Sequence, residues 1–525
     1  MADFLEMLKD EDNFITTENG AAALKSTKNA CLDAFSALPA ATAMSEEYII
    51  RTFSKAFSED RALAMRILFY VRDIRGGQGM RRVFRVCFKW LADNYPEYVK
   101  ENLGAIMEYG RADDYLCLEG TCVWVFVISL FYRILRYDFK CMKEGKPISL
   151  LGKWLPSENA SSKETRRLAK KVREGFDLSS KQYRQLLSRL RAYSNVTETY
   201  MSAREWDEID YEEVPARASL NYSDAFYRHD EKRYIDFIEG LAKGQSKINA
   251  KSLFPVDIIK KAFEKRYKCS AKDRIILNSM WEALPNYLEG VDETALCMVD
   301  TSCSMWGTPY DVAVSLGIYC ADKCRGPFHN HFLTFAEHPA LCEITGKDIV
   351  EKVANLPCIN AGNTDLEAAF DLILRTAVDN NVKPEDLPSK LYVISDMQFD
   401  AARSSYTYNY LRPSVRTPLR PFMQTMKEKF TAAGYTLPSI VYWNVRAGEG
   451  MYQETFEGES CAIVGGYSPS LFEAIIKGTT YTKETIEEDG VARTVEKIII
   501  DPMEVMYAAV ASVRYAPIYP SLEEN

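Results

Sequence analysis

Two aspartates and three hydroxyls carry the most specific chemistry in this sequence. Asp300, Ser302 and Ser304 stand two apart in "ALCMVDTSCSMWGTPYDVAVSLGIYC", where a short apolar run turns through a polar loop into a helical pattern. Thr364 in "NAGNTDLEAAF" comes just before another helix, and Asp396 closes the apolar run "KLYVISDM". Two carboxylates with three neutral hydroxyls form a hard, all-oxygen set that suits Mg2+ or Mn2+ rather than zinc. Neutral hydroxyls leave a dication under-compensated, so an acidic group of a partner, a carboxylate or a phosphate, can complete its coordination. No carboxylate or histidine of the motif is placed to activate water, so binding is expected and no catalytic residue is assigned. Cys303 lies inside the same loop without an identifiable base to make it a nucleophile.

Such a site needs strands that end at one edge, because ligands of an open parallel sheet gather beyond the C-terminal ends of its strands. From about residue 289 the pattern supplies them. "ALCMVDTS", "KLYVISDM", "SIVYWNV" and "CAIVGGYS" read as buried strands, and "HNHFLTFAEHPALCEIT" as a strand pair with His329 and His331 on one face. Between them "YDVAVSLGIYCADKC", "DIVEKVANL", "TDLEAAFDLILRTAVDN", "LRPFMQTMKEKFTAAG" and "SPSLFEAIIKG" read as helices. Continuous apolar strands alternating with helices predict a doubly wound α/β domain over 289–480 with a mainly parallel sheet. Residues 401–418, rich in Tyr and Arg, read as a surface insertion. The segment 481–525 holds one strand-like run, "VEKIIID", and one helix, "PMEVMYAAVASV", and can pack back on the helical domain.

Residues 1–288 are almost entirely helical in pattern, with apolar positions three and four apart and breaks such as Tyr95-Pro96. Short helices joined by short turns suggest a helical-repeat array of the HEAT-like kind, without a clean period. The most apolar run, "CVWVFVISLFY", is too short to span a bilayer and reads as a buried helix. No membrane partner is expected. Thirteen scattered cysteines, no CxxC pair and four histidines favour a reducing, cytoplasmic compartment over a zinc site.

The net charge of −9 is unevenly spread: 1–162 sums to −1, 163–274 to +7 and 275–525 to −15. A basic middle can mark a nucleic-acid face. Residues 163–191 and 243–274 each hold ten Lys/Arg against three acids, with Tyr183, Tyr193, Phe263 and Tyr267 interleaved. Cations there can neutralise phosphates and aromatics can stack on unpaired bases, although core positions explain the same aromatics. The candidate RNA contacts are Arg81, Arg82, Arg166, Arg167, Lys170, Lys171, Arg184, Arg189, Lys260 and Lys261. In "IRGGQGMRR" a Gly-Gly-Gln tripeptide also occurs in peptide-release factors, but a glycine-rich turn before two arginines is the plainer reading.

The order and context of Asp300, Ser302, Ser304, Thr364 and Asp396 resemble the metal-ion-dependent adhesion site (MIDAS) of von Willebrand factor A domains. Upstream, "VRDIRGGQGMRRVFR", "YGRADDYL", "GKWLPSENASSKETRRLAKKV" and "YRQLLSRLRAYSNVTETYMSAREWDEIDYEEVPARASLNYSDAFYRHDEKRY" resemble domain-of-unknown-function family 2828, as does "VYWNVRA" downstream, so that the likeness runs over about 45–480. That family is similar in layout to the TROVE, or Ro autoantigen, proteins. The resemblance implies a ring of helical repeats closed by a von Willebrand factor A domain, a monomer that binds non-coding or misfolded RNA as a ribonucleoprotein. Two other functions stay open: a protein-interaction scaffold that captures an acidic partner at the metal site without RNA, and a metal-dependent phosphoesterase.

Overall fold

The computed structural model describes residues 12–194, 196–248, 250, 252–289, 294–335, 339–356, 364–400, 422–458, 460–488 and 491–522. By packing, the chain divides into two compact units, Met1–Ile67 with Leu253–Arg514, and Leu68–Ser252 with Tyr515–Asn525. The division does not follow the chain order in which helices precede strands.

The chain enters the first unit through a small antiparallel hairpin, β1 (Phe14–Thr16) and β2 (Ala22–Leu24). Helix α1 (Ala30–Ala37) follows, its first turn capped by Asn29, whose side chain accepts the Leu32 N–H at 2.8 Å. Then come α2 (Glu46–Glu59), capped by Ser45, and α3 (Arg61–Arg72), which carries the chain into the second unit. That unit contains α4 (Arg81–Asn94), α5 (Trp124–Lys143), α6 (Lys163–Gly175), α7 (Ser180–Tyr193), α8 (Ala216–His229) and α9 (Glu231–Ala242), with shorter helical turns between them. The first unit resumes with α10 (Pro255–Lys265) and α11 (Ala271–Glu282) and continues into the strands.

These are β3 (Ala295–Asp300), β4 (His331–Phe335), β5 (Ala340–Glu343), β6 (Lys390–Ser395), β7 (Ser439–Asn444) and β8 (Cys461–Gly465). They form one sheet in the order β5-β4-β3-β6-β7-β8, parallel throughout except for the antiparallel β4–β5 pair. The helices among and after them are α12 (Thr308–Lys323), α13 (Ile349–Ala354), α14 (Leu366–Asp379), α15 (Phe422–Ala432), α16 (Ser470–Lys477) and α17 (Pro502–Val510). Each strand and helix expected between 295 and 477 has its counterpart.

Every residue of β3 and β6 is buried, which is why both read as unbroken apolar runs: each face of the sheet is covered. On one face Met298, Val393 and Ile440 share a core with Phe370 of α14 and Phe430 of α15. On the other, Tyr392 and Trp443 ring the side chain of Phe472 on α16. Gly317 lets α12 approach β3 closely, since a Cβ there would stand 2.5 Å from a Val299 methyl. Helix α1 seats on β8, where a Cβ at Gly465 would lie 1.8 Å from the Ser36 carbonyl oxygen; only glycine admits that contact.

Three expectations need correction. The strand around "HNH" begins at His331, and His329 belongs to the turn before it with Asn330 at φ 61°, so the two histidines do not share a strand face. The strand-like "VEKIIID" is half of a longer ribbon: β10 (Val491–Ile500) pairs antiparallel with β9 (Thr479–Glu488), whose polar, threonine-rich sequence hides its extended form. The "CVWVFVISLFY" run is buried on one face of α5 only, at Val127 and Phe131, while Val125, Phe126 and Tyr132 are exposed. The expected insertion at 401–418 lies outside the described residues.

In the helical unit Phe69, Phe84, Phe88 and Tyr109 make an aromatic core, and Tyr515 packs edge-on against Tyr70. The Gly-Gly-Gln tripeptide is part of this core. A Cβ at Gly77 would sit 2.0 Å from the Tyr70 carbonyl oxygen, and the buried Gln78 amide donates to the Tyr70 hydroxyl at 2.7 Å. This glutamine shapes a turn and is not presented to solvent. Among the described residues no helix is long and apolar enough to cross a membrane.

Candidate functional site

The sheet order reverses between β3 and β6: from β3 the chain goes outward to β4 and β5, then returns to build β6, β7 and β8 on the other side. Loops part at such a switch point and leave a crevice beyond the strand ends. Asp300 ends β3 and Asp396 follows β6, so one carboxylate emerges on each side of it. Both are buried.

A chain of hydrogen bonds ties four of the five expected ligands together. The Asp300 carboxylate accepts the Ser302 backbone N–H at 2.9 Å and the Ser395 hydroxyl at 2.5 Å. The Ser302 and Ser304 hydroxyls are 2.9 Å apart, and the Ser304 hydroxyl bonds to the Asp396 carboxylate. Asp396 also accepts the Gln398 N–H at 3.2 Å. The turn after it is tight, with Met397 at φ 63° and the Met397 N–H donating to Ser395 at 3.0 Å. Thr364 joins through the backbone, its carbonyl accepting the Asp400 N–H of the same post-β6 loop at 2.9 Å. Its hydroxyl is buried and has no hydrogen-bond partner among the described residues. No direct bond links Thr364 to the two aspartates among the described residues.

The electrostatics fit a cation. Burial, then the neighbouring Asp396 charge, pushes the Asp300 carboxyl up to about 7. Burial also raises Asp396, against the pull of the Gln398 N–H, Ser304 and Arg446. Two buried carboxyls facing one another oppose ionisation unless a positive charge stands between them. Among the described residues no three His, Cys, Asp or Glu side chains gather to hold a metal, so a cation here would rest on two carboxylates and neutral hydroxyls. That donor set, with the orphaned Thr364 hydroxyl, fits a hard dication.

Sequence reading missed three neighbours. Ser395, one residue before Asp396, locks the Asp300 carboxylate. Arg446, in the loop after β7, donates to the Ser304 carbonyl at 2.7 Å and brings a cation to the site. Trp306 stands 88% exposed in the loop after Ser304. Only Ser395 carries a local signal, its adjacency to the ligand; the others depend on which loops meet.

Metal-free protein is expected to lose stability as pH rises from about 5 to 8. A carboxyl whose folded pKa lies above its ordinary value keeps its proton in the fold at a pH where the unfolded chain has released it. Stability from that proton is complete below about 4 and is lost as pH climbs through about 7. Thermal unfolding in EDTA at a series of pH values checks this, and a melting temperature that rises over the interval would count against it. Added Mg2+ is expected to raise the melting temperature more at pH 8 than at pH 5.

The ten expected RNA contacts fall in two units. Arg81 and Arg82 open α4, Arg166, Arg167, Lys170 and Lys171 lie on α6, and Arg184 and Arg189 on α7, all exposed and all in the helical unit. Lys260 and Lys261 are on α10 of the α/β unit, paired with Asp311 at 3.6 Å and Glu264 at 2.8 Å. Several of the others are also paired: Arg167 binds Glu119 and Glu164, and Lys170 and Lys171 share Glu174. Of the interleaved aromatics, Tyr183 is core, its hydroxyl on the Pro156 carbonyl, whereas Tyr267 is 83% exposed with Arg266 over its ring.

Fold and site together define a mixed α/β protein: an oxygen-rich pocket at the switch point of a six-stranded sheet, and a separate helical unit. A family model described as "Domain of unknown function (DUF2828)" matches residues 17–113 and 158–289, which agrees with the family resemblance for the first part of the chain. From 293 to 510, the stretch that holds all five expected ligands, the match is instead to "Domain of unknown function (DUF7788)". An "Uncharacterized protein L728" of Acanthamoeba polyphaga mimivirus is 28% identical over 514 aligned residues, which cover 89% of this chain and 86% of that protein.

Proposed function

We propose that this chain is a Ro-like RNA-binding protein whose α/β unit takes an acidic ligand through a divalent cation. Asp300, Ser302, Ser304, Thr364 and Asp396 would hold the cation, Mg2+ or Mn2+. The observation that carries this reading is the hydroxyl–carboxylate chain at the switch point, with one buried threonine hydroxyl left over. When bound, the cation supplies a position for one anionic oxygen of the ligand. The chain's own groups do the rest: Ser395 orients Asp300, the Gln398 N–H orients Asp396, and Arg446 adds positive charge at the same edge.

A von Willebrand factor A domain for the α/β unit and a HEAT-like ring for the helical unit belong to the same proposal. The strand order with its antiparallel edge strand β5 supports the first, and short helices in close succession, such as α8 and α9 joined through Asp230, support the second. A reducing, cytoplasmic setting goes with it, supported by twelve free thiols among the described cysteines. For RNA the support is charge: α6 has six Lys/Arg against two acids, and α7 four against none.

Filter binding of the purified protein to short single-stranded RNA at about 50 and 200 mM salt tests the RNA part. The expected result is an affinity that falls steeply with salt and ignores EDTA. Absence of binding at the lower salt overturns it. Metal-dependent cleavage of the RNA, lost in Asp300→Ala, would make the site a phosphoesterase instead.

A further inference from the structure

Helix α5 has no acid on its outer face and carries the largest exposed aromatic stripe of the helical unit. Val125, Phe126, Tyr132 and Tyr137 are 66%, 45%, 57% and 67% exposed. Arg133, Arg136, Lys140 and Lys143 are exposed among and beyond them. These positions recur three and four residues apart, so they share one face, opposite the buried Val127, Phe131 and Leu135. From Val125 to Lys140 the stripe runs about 22 Å at the helical rise. The helix contains a single acid, Asp138, which is buried and held by the Ser149 N–H at 2.9 Å and the Ser149 hydroxyl at 2.7 Å.

The cations of this face are also free. Among the described residues Arg133, Arg136 and Lys140 enter no ion pair, in contrast to Arg167, Lys170 and Lys171 of α6. Lys100 stands 4.7 Å over the Phe126 ring and adds a further charge at the N-terminal end. Both basic helices abut the stripe's helix: Gly175 of α6 lies against Ile128, and Arg189 of α7 stands 5.4 Å over Phe139.

Exposed aromatic faces interleaved with unpaired cations, and no carboxylate among them, complement a flexible polyanion that offers flat apolar rings. We infer that the outer face of α5 is a stacking platform for single-stranded RNA, with bases on Phe126, Tyr132 and Tyr137 and phosphates on Arg133, Arg136 and Lys140. The inference rests on the RNA-binding reading and assigns its site to a helix outside the residues first expected to carry it. A base-paired RNA hides its ring faces in the stack, so the platform selects unpaired RNA.

The test uses the full chain with a fluorescein-labelled oligouridylate of about 15 nucleotides, followed by anisotropy. Tyr132→Ser/Tyr137→Ser is expected to weaken binding at least about tenfold with the salt slope unchanged, because no charge is removed. Arg133→Gln/Arg136→Gln is expected to lower the slope by about two. Both pairs are exposed, and unchanged circular dichroism and melting show that the fold is kept. If the native chain binds and both variants bind equally well, the platform is wrong and the RNA reading stands. If the native chain fails to bind at low salt, the RNA reading falls and the platform with it. Two further outcomes overturn the platform alone: variants that lose only binding to phosphatidylserine vesicles, or only self-association in sedimentation, mark a membrane-facing or copy-to-copy surface.

Discussion

Asp300→Asn is expected to give a folded protein whose Mn2+ affinity is lower by about 100-fold or more. The estimate follows from the position. Changing a group that merely orients a metal ligand already costs about 10- to 100-fold, and Asp300 is one of only two carboxylates in the set. The amide keeps the size of the side chain at a fully buried site, and its oxygen can still accept from Ser302 N–H or Ser395. Removing the charge also removes the opposition to Asp396, so the metal-free variant is expected to melt no lower than metal-free native protein at pH 8. Titration with Mn2+ read by electron paramagnetic resonance measures the first effect and calorimetry the second. Native-like Mn2+ affinity in the variant would move the cation elsewhere and dismantle the reading of the site.

Asp114→Ala is expected to destabilise the helical unit by about 3–5 kcal/mol, the usual cost of breaking a buried ion pair from one side. Asp114 is fully buried and takes three charged or polar donors. Arg72 Nε and Arg85 Nε each reach it at 2.7 Å, and the Arg111 N–H at 2.9 Å. Alanine would strand Arg72, itself 4% exposed, without a counter-charge. Asp113 can compensate only in part, since it already serves Arg85 and Arg111. Because the chain has two units, a single unfolding curve is a poor measure. Hydrogen exchange at the amides of α4 isolates the effect, and native-like protection there would contradict the expectation.

The two predictions differ in how far their residues could be recognised beforehand. Asp300 and Asp396 were legible because each ends a run whose two-sided burial forces continuous apolar sequence, and carboxylates at strand ends stand out against it. Ser302, Ser304 and Thr364 followed from spacing. Nothing local marks Asp114: "GRADDYL" contains two aspartates, and only the packing of α3 and α4 selects the second as the buried partner of two arginines.

The same contrast governs charge and exposure. Lysines and arginines are readable in any helix, but whether a cation is free depends on acids brought in from elsewhere, as Glu119 is to Arg167. Helix α5 was misread because its hydrophobicity is high all round, and composition does not distinguish a face that meets a core from one that meets water. Helix α1 and the hairpin β1–β2 looked like the start of a helical region, yet α1 packs on β8 and β2 bridges Tyr452, contacts made across more than 400 residues.

By itself, then, the amino-acid order determined the elements whose burial is uniform along the chain, and the five oxygens at their ends. Tertiary structure alone decided which loops meet at the switch point, which charges are neutralised, and which apolar face stays open to solvent. The physical reason is one of range. Periodicity and strand burial leave their mark within a few residues, whereas ion pairing and exposure are set by neighbours that the sequence keeps far apart.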